Sequence, residues 1–278
     1  MRADLHVHSN ASDGTDPPAE VMRRAALAGL DAVALTDHDT VAGIAQARAA
    51  RPQGLTLVPG MELSGRLDGH SLHLLAYLFD PGEPELAEQT RLIRDDRELR
   101  ARAMVRRLAD LGVAISWDQV AAIAGRGVVG RPHIARALVA SGAIAEPAQA
   151  FTREWIGAGG RAYVGRYALD PVRAIALVRA AGGVTVLAHP RAGRDWVVSD
   201  EQIAALAAAG LAGVEVFHPD QPEAERAGLL GLIRDLGLVA TGGSDDHGLL
   251  TDHRIGCETT AADAYDTLIS KAACAPIG

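Results

Sequence analysis

The chain has 278 residues, 48% of them hydrophobic, enough to bury a sizeable core in one large domain or one domain with an insertion. Its 35 acidic residues outnumber 27 basic ones, giving a formal net charge of -8, which argues against a general binder of nucleic acid or of membrane surfaces. A phosphorylated substrate then requires a local basic pocket or bound cations. Cys257 and Cys274 fit no zinc-finger, redox or disulfide framework. No apolar run approaches the ~20 residues that span a bilayer, and the first residues lack a charged-then-apolar leader, so no membrane association and a cytoplasmic location are expected.

Short apolar strands alternate with amphipathic helices along the chain. Ala3 to His8 reads as a strand. A helix opens at Asp16-Pro-Pro-Ala-Glu20, with prolines in the first turn where a missing N–H does no harm, and stops at Gly29. Strands follow at Ala32 to Thr36, Leu55 to Pro59 and His73 to Phe79, with a helix near Val41 to Ala50 between the first two. From about Glu83 to Tyr163 the pattern is almost all helix. Its charged run from Arg91 to Arg107 is expected to be a solvated helix face. Alternation then resumes: helices at Asp170 to Ala181, Gln202 to Ala209 and Glu223 to Leu236, strands at Val184 to Ala188, Gly213 to Phe217 and Leu238 to Thr241. Seven strands separated by helices predict an α/β fold with a parallel sheet, most simply closed as an incomplete (β/α) barrel. An open doubly wound sheet is the alternative, weakened because no G-x-G-x-x-G follows the first strand. The expected domains are a barrel of 1–82 with 164–278 and a helical insertion, 83–163, acting as a substrate cap.

Polar residues gather where the strands end. His6 and His8 sit two apart in a strand-like run, so both imidazoles face the same side, and Asp13 follows within a short turn. Convergent imidazole and carboxylate groups suit a divalent metal. The same chemistry recurs at Thr36-Asp37-His38-Asp39, Gly60-Met61-Glu62, His70-Ser71-Leu72-His73, His189-Pro190, His218-Pro219 and Gly243-Ser244-Asp245-Asp246-His247. Taken singly, His38 reads as a turn residue, Glu62 as an exposed acid and Asp245-Asp246 as a helix cap. Together they place eight of the ten histidines on or beside the rim that carries active sites in barrels of parallel strands; His133 and His253 lie elsewhere.

His6-x-His8, Asp13, Thr36-Asp37-His38-Asp39, Gly60-Met61-Glu62, His73, Ala188-His189-Pro190 and Ser244-Asp245-Asp246-His247 resemble, in order and over nearly the whole chain, the four motifs of the PHP (polymerase and histidinol phosphatase) superfamily. Within it the chain looks most like the stand-alone phosphoesterases that act on nucleotide 3',5'-bisphosphates and short RNA, the ribonuclease AM group, which likewise carry a helical insertion. The resemblance implies a distorted (β/α)7 barrel and two or three divalent ions, Mn2+ foremost, with Fe2+ or Zn2+ as alternatives. It implies one ion on His6, His8, Glu62 and Asp245. Glu62 would bridge to a second ion on His73 and His189, and Asp13, His38 and His247 would hold a third. His70 lies outside the motif spacing.

The implied reaction is phosphoester hydrolysis by a metal-bound hydroxide, which needs no Ser–His–Asp or P-loop signature; none is present. The substrate would be a nucleoside 3',5'-bisphosphate, cleaved to the 5'-monophosphate, or a short oligoribonucleotide degraded 5' to 3'; no stable duplex nucleic-acid binding is expected. Arg131 and His133, in a short basic element after a Gly-rich break, are candidates for a substrate phosphate, although Gly130-Arg-Pro-His133 also reads as an ordinary helix start. Arg191, Arg194 and His218 are weaker candidates. Histidinol-phosphate phosphatase and a non-catalytic metal-binding PHP module are the alternatives; loss of ligand residues would betray the latter, and none is lost.

Overall fold

The computed structural model describes residues 1–193 and 196–278. Seven strands form one sheet in chain order: β1 (Ala3–Val7), β2 (Ala32–Leu35), β3 (Thr56–Leu67), β4 (His70–Tyr77), β5 (Val184–Leu187), β6 (Gly213–Phe217) and β7 (Val239–Gly242). The edges of β1 and β7 meet beyond the end of β7. His8 N–H donates to the Asp246 carbonyl (2.9 Å), and Asp245 N–H to the His6 carbonyl (2.8 Å). The result is a nearly closed, distorted barrel.

Helices α1 (Pro18–Leu27), α2 (Ile44–Ala50), α6 (Pro171–Ala180), α7 (Asp200–Ala208), α8 (Glu223–Asp235) and α9 (Ala262–Ile269) accompany the strands; α3 (Pro84–Asp110), α4 (Trp117–Ala124) and α5 (Arg131–Ala140) lie between β4 and β5 in sequence. No described helix is long and apolar enough to cross a membrane. The short strands β1, β2 and β5 are buried at every position, as expected of strands covered on both faces. One cluster gathers Leu5, Val58, Leu75, Tyr77 and Val186, with the Tyr77 hydroxyl donating to the Leu5 carbonyl (2.7 Å). Another packs Val21, Met22 and Ala25 of α1 against Val33, Leu35 and Leu57.

The sheet is not wholly parallel. β4 runs antiparallel to both β3 and β5, and β3 continues through Pro59 and Gly60 to Leu67 rather than ending at Pro59. The chain changes partner there: Thr56 to Pro59 pair with β2, and Gly60 onward pairs with β4. Pro59 has no N–H to donate at this junction, and its carbonyl accepts from Leu78 N–H (2.9 Å). Gly60 allows a close approach, since a Cβ there would press on the Ala76 carbonyl oxygen and Tyr77 Cδ1 at 3.0 Å. Asp68 and Gly69, both at positive φ, make the two-residue turn into β4. The reversal brings the start of β4 to the rim where the parallel strands end.

The chain divides into two compact units, residues 1–90 with 168–278 and residues 91–167. The second unit has its own core, including Met104, Leu108, Val120, Ile134, Leu138 and Ile156. The Arg91–Arg107 run is not uniformly solvated. Arg97 and Arg100 are each only 8% exposed, and Arg100 Nε donates to the Val164 carbonyl (2.8 Å). This corrects the expected solvated face: the long arginine stems cover apolar surface within the unit.

Gly243 sits where β7 closes on β1. A Cβ there would meet His6 Cβ at 2.4 Å and His6 N at 2.7 Å. Gly243→Ala should therefore destabilise the metal-free protein by about 1–3 kcal/mol. Denaturant unfolding followed by circular dichroism measures it; an unchanged midpoint would contradict this packing.

Candidate metal centre

Seven histidines converge at the rim. His6 belongs to β1 and His8 follows it; His38 follows β2; His73 lies in β4; His189 and His218 follow β5 and β6; His247 follows β7. Their rings form a contiguous set, with His8 stacked on His247 (4.0 Å between centroids) and His6 stacked on His189 (5.7 Å). Glu62, on β3, lies in the middle. Its N–H donates to the Thr36 carbonyl (2.9 Å) and its carbonyl accepts from Asp39 N–H (3.0 Å), which places His38 beside it.

Four donor atoms close on one point. His6 Nε2 lies 3.1 Å from His8 Nε2, 3.4 Å from Glu62 Oε2 and 3.2 Å from Asp245 Oδ1. His8 Nε2 lies 3.1 Å from Glu62 Oε2 and 3.2 Å from Asp245 Oδ1. An ion with ligands at ~2.1 Å separates adjacent donors by ~3.0 Å in an octahedron and ~3.4 Å in a tetrahedron. The five distances fall in that interval. Glu62 Oε1 turns the other way, 2.7 Å from His73 Nδ1 and 3.3 Å from His189 Nε2. A third group gathers on Asp13, whose carboxylate lies 3.3 Å from His247 Nε2, 3.8 Å from His38 Nε2 and 4.0 Å from His8 Nδ1. His8 Nδ1 and Asp13 Oδ1 are buried without a hydrogen-bond partner, as donors shaped for a cation would be. The donor set therefore fits divalent metal.

Residues 4–105 match the PHP domain family. A 5'-3' exoribonuclease of Haemophilus influenzae is 35% identical over 249 residues, covering 88% of this chain and 89% of that protein. A 3',5'-nucleoside bisphosphate phosphatase of Chromobacterium violaceum is 34% identical over 256 residues, covering 88% and 86%. The chain belongs to the PHP family. The fold agrees: a crystal structure of a protein assigned as a metal-dependent phosphoesterase from Bifidobacterium adolescentis superposes with a TM-score of 0.90 at 35% identity, over 97% of this chain and 96% of that one.

Buried carboxylates brace the loops that carry the PHP motifs. Asp37 accepts from Ser9 N–H (2.8 Å) and from the Ser9 and Ser12 hydroxyls (2.7 Å each), holding the turn that leads to Asp13. Asp39 accepts from Ser64 N–H (2.7 Å) and its hydroxyl (2.8 Å). Asp246 accepts from Arg254 N–H (2.7 Å) and the Thr251 hydroxyl (2.8 Å). Asp4 accepts from Ser244 N–H (2.9 Å) and Gly256 N–H (2.8 Å). Glu215, which belongs to no motif, was not singled out from the sequence. Its one visible signal is an acid in an otherwise apolar strand.

The remaining candidates are placed differently. His218 is buried; its Nδ1 accepts from Asp220 N–H (3.1 Å), which leaves Nε2–H directed at Asp245 Oδ2 (3.3 Å). Arg191 is held by Asp200 and the Val198 carbonyl, and its N–H donates to Gln221 Oε1 (3.0 Å). His133 is buried, and its Nδ1 accepts from Gly130 N–H (2.9 Å) at the start of α5. Arg131 lies over Phe151, 5.4 Å from the ring centre, and lines a recess in the second unit with Arg97 and Arg100. Burial lowers its pKa, and Arg97 adds to the lowering. His70 is exposed and stacks on Trp196 (4.8 Å), and His253 Nδ1 faces Asp16 (3.4 Å). Arg194 lies outside the described residues.

Without an ion, protons must balance the carboxylates. Burial disfavours a charged His8, but hydrogen bonds to Asp245 and Glu62, with their charge, push it up to about 10. Burial likewise opposes charging His6, yet Glu215, Asp245 and Glu62 raise it well above the usual range. Burial would raise Glu62; His38, His73 and His6 hold it well below. A bound cation competes with those ring protons, so affinity must rise as pH rises. Titrating Mn2+ into metal-free protein should release protons and show tighter binding at about pH 8 than at about pH 6. A pH-independent affinity without proton release would contradict this electrostatic reading.

Proposed function

We propose that this PHP chain is a metal-dependent phosphoesterase acting on nucleotide phosphates, removing the 3'-phosphate of nucleoside 3',5'-bisphosphates and shortening small RNAs from the 5' end. The observation that carries the reading is the set of five donor separations of 3.1–3.4 Å among His6, His8, Glu62 and Asp245. Similarity to an exoribonuclease and a bisphosphate phosphatase over most of the chain supports the substrate class and favours it over histidinol phosphate.

In this reading His6, His8, Glu62 and Asp245 hold one ion. Glu62 shares a second ion with His73 and His189, and Asp13, His38 and His247 hold a third; Mn2+ is the expected metal. Bound there, the ions acidify a water and neutralise charge on the phosphoryl oxygens. Glu62, with one oxygen toward each of two histidine groups, sets the spacing of the site. Arg131 is the proposed contact for a substrate phosphate that is not cleaved. The deciding assay is phosphate release across mono- and bisphosphorylated nucleotides and histidinol phosphate, after reconstitution with Mn2+. Preference for histidinol phosphate would overturn the substrate class.

Glu62→Gln and Asp245→Asn should each lose turnover by orders of magnitude while the fold persists, because a neutral amide matches neither the charge nor the bridging of a carboxylate. Near-normal turnover with normal metal content would refute these roles. Arg131→Ala should lower kcat/KM for a nucleoside bisphosphate about 10- to 150-fold, the size of one charge-assisted contact of about 1.5–3 kcal/mol, and should barely change hydrolysis of p-nitrophenyl phosphate. Equal losses on both substrates would assign Arg131 to the catalytic centre or the fold.

A further inference from the structure

β6 reads Gly-Val-Glu-Val-Phe, and Glu215 is 1% exposed within it. A carboxylate buried this deeply is costly unless its oxygens are matched by donors. Glu215 finds them on two residues far apart in sequence. His6 Nδ1 lies 3.1 Å from Oε1 and 3.3 Å from Oε2, and the backbone N–H of His189 donates to Oε2 (2.9 Å). Space for the carboxylate comes from Gly243, where a Cβ would meet Glu215 Oε1 at 2.9 Å. The strand end is braced in turn, because Gln221 Nε2 donates to the backbone carbonyls of Glu215 (3.2 Å) and Val216 (2.7 Å).

The two contacts have different consequences. An ionised carboxylate only accepts, so the proton between Glu215 and His6 resides on Nδ1. The ring proton that a cation would displace is then the one on Nε2, which faces the point His6 shares with His8, Glu62 and Asp245. At His189 the contact holds backbone rather than ring. His189 has φ 29°, outside the regions that residues with a side chain ordinarily occupy, and the N–H bond to Glu215 helps hold it there, with its ring toward Glu62. One buried carboxylate thus sets the orientation of a histidine in each of two neighbouring groups.

We infer that Glu215 is a positioning residue of the metal centre, fixing His6 in its Nδ1–H form and His189 in its strained backbone conformation. The inference rests on the metal-site reading given above. Partners of this kind orient a metal-binding imidazole and make it a stronger donor.

The test uses Co2+ titration of the metal-free full-length protein, read by visible absorption. Wild type should bind tightly. E215Q, whose amide accepts one N–H but turns a second donor on the other, should bind about 10- to 100-fold more weakly and with an altered spectrum. Its metal-free form should melt somewhat lower than wild type, because the amide leaves one buried donor unmatched. An E215Q titration and spectrum indistinguishable from wild type would overturn the inference. A second measurement needs no variant: in Zn2+-loaded wild type, long-range 1H–15N NMR of the histidine rings should show His6 protonated on Nδ1 and metal-bound through Nε2. Coordination through Nδ1 would overturn the inference even if E215Q failed to fold. If wild type bound no ion at all, the metal-site reading itself would fall, which is distinct from wild type and E215Q binding alike.

Discussion

The mouth of this barrel is organised by the buried carboxylate of Glu62. Its oxygens lie 2.7–3.4 Å from nitrogens of five histidines that come from β1, β2, β3's partner strand and β5 or the loops after them. A single carboxylate cannot neutralise so many buried imidazoles if they carry protons, and a cluster of neutral imidazoles cannot satisfy the carboxylates of Glu62, Asp245 and Asp13. Positive charge must therefore sit between them, as protons or as metal ions. Much of the rim follows from meeting that requirement at fixed positions. The partner change at Pro59 and Gly60, the reversed strand β4 and the tight closure at Gly243 each bring a donor to the same few ångströms.

Around the donors lies a layer of carboxylates that face backbone. Asp37 and Asp39 flank His38, Asp246 follows Asp245, Asp4 precedes His6, and each accepts N–H or O–H groups from a neighbouring loop. The motifs thus carry two kinds of residue side by side, one turned into the centre and one that ties its loop down. Such bracing suits the positive φ of Asp39, His189 and Asp245, conformations that persist only where surrounding contacts hold them.

The convergence of histidines at one rim was legible in the sequence, because two-residue spacing and strand-end position are geometric facts of β structure. The strand–helix alternation likewise yielded the barrel. Less was legible where partner choice decides. Pro59-Gly60 looked like an ending and is a junction. The Asp68-Gly69 turn, a recognisable hairpin signal, marked the antiparallel strand that an all-parallel reading passed over. His73 lies in the first half of β4, so only that reversal brings it to the rim. Glu215 was harder to read for another reason: an acid in an apolar strand is a signal, but nothing local tells an inward acid from an outward one until the strands on either side are known. Arg97 and Arg100 lay in a charge-dense helix whose buried side emerges only from packing within the helical unit.

The central claim is that His6, His8, Glu62 and Asp245 form one cation site. Diffraction from crystals of the Mn2+-loaded protein, collected at the manganese absorption edge, tests it most directly. An anomalous peak should lie within bonding distance of His6 Nε2, His8 Nε2, Glu62 Oε2 and Asp245 Oδ1. Well-ordered side chains at these positions with no peak between them, or manganese bound only elsewhere on the molecule, would contradict the account.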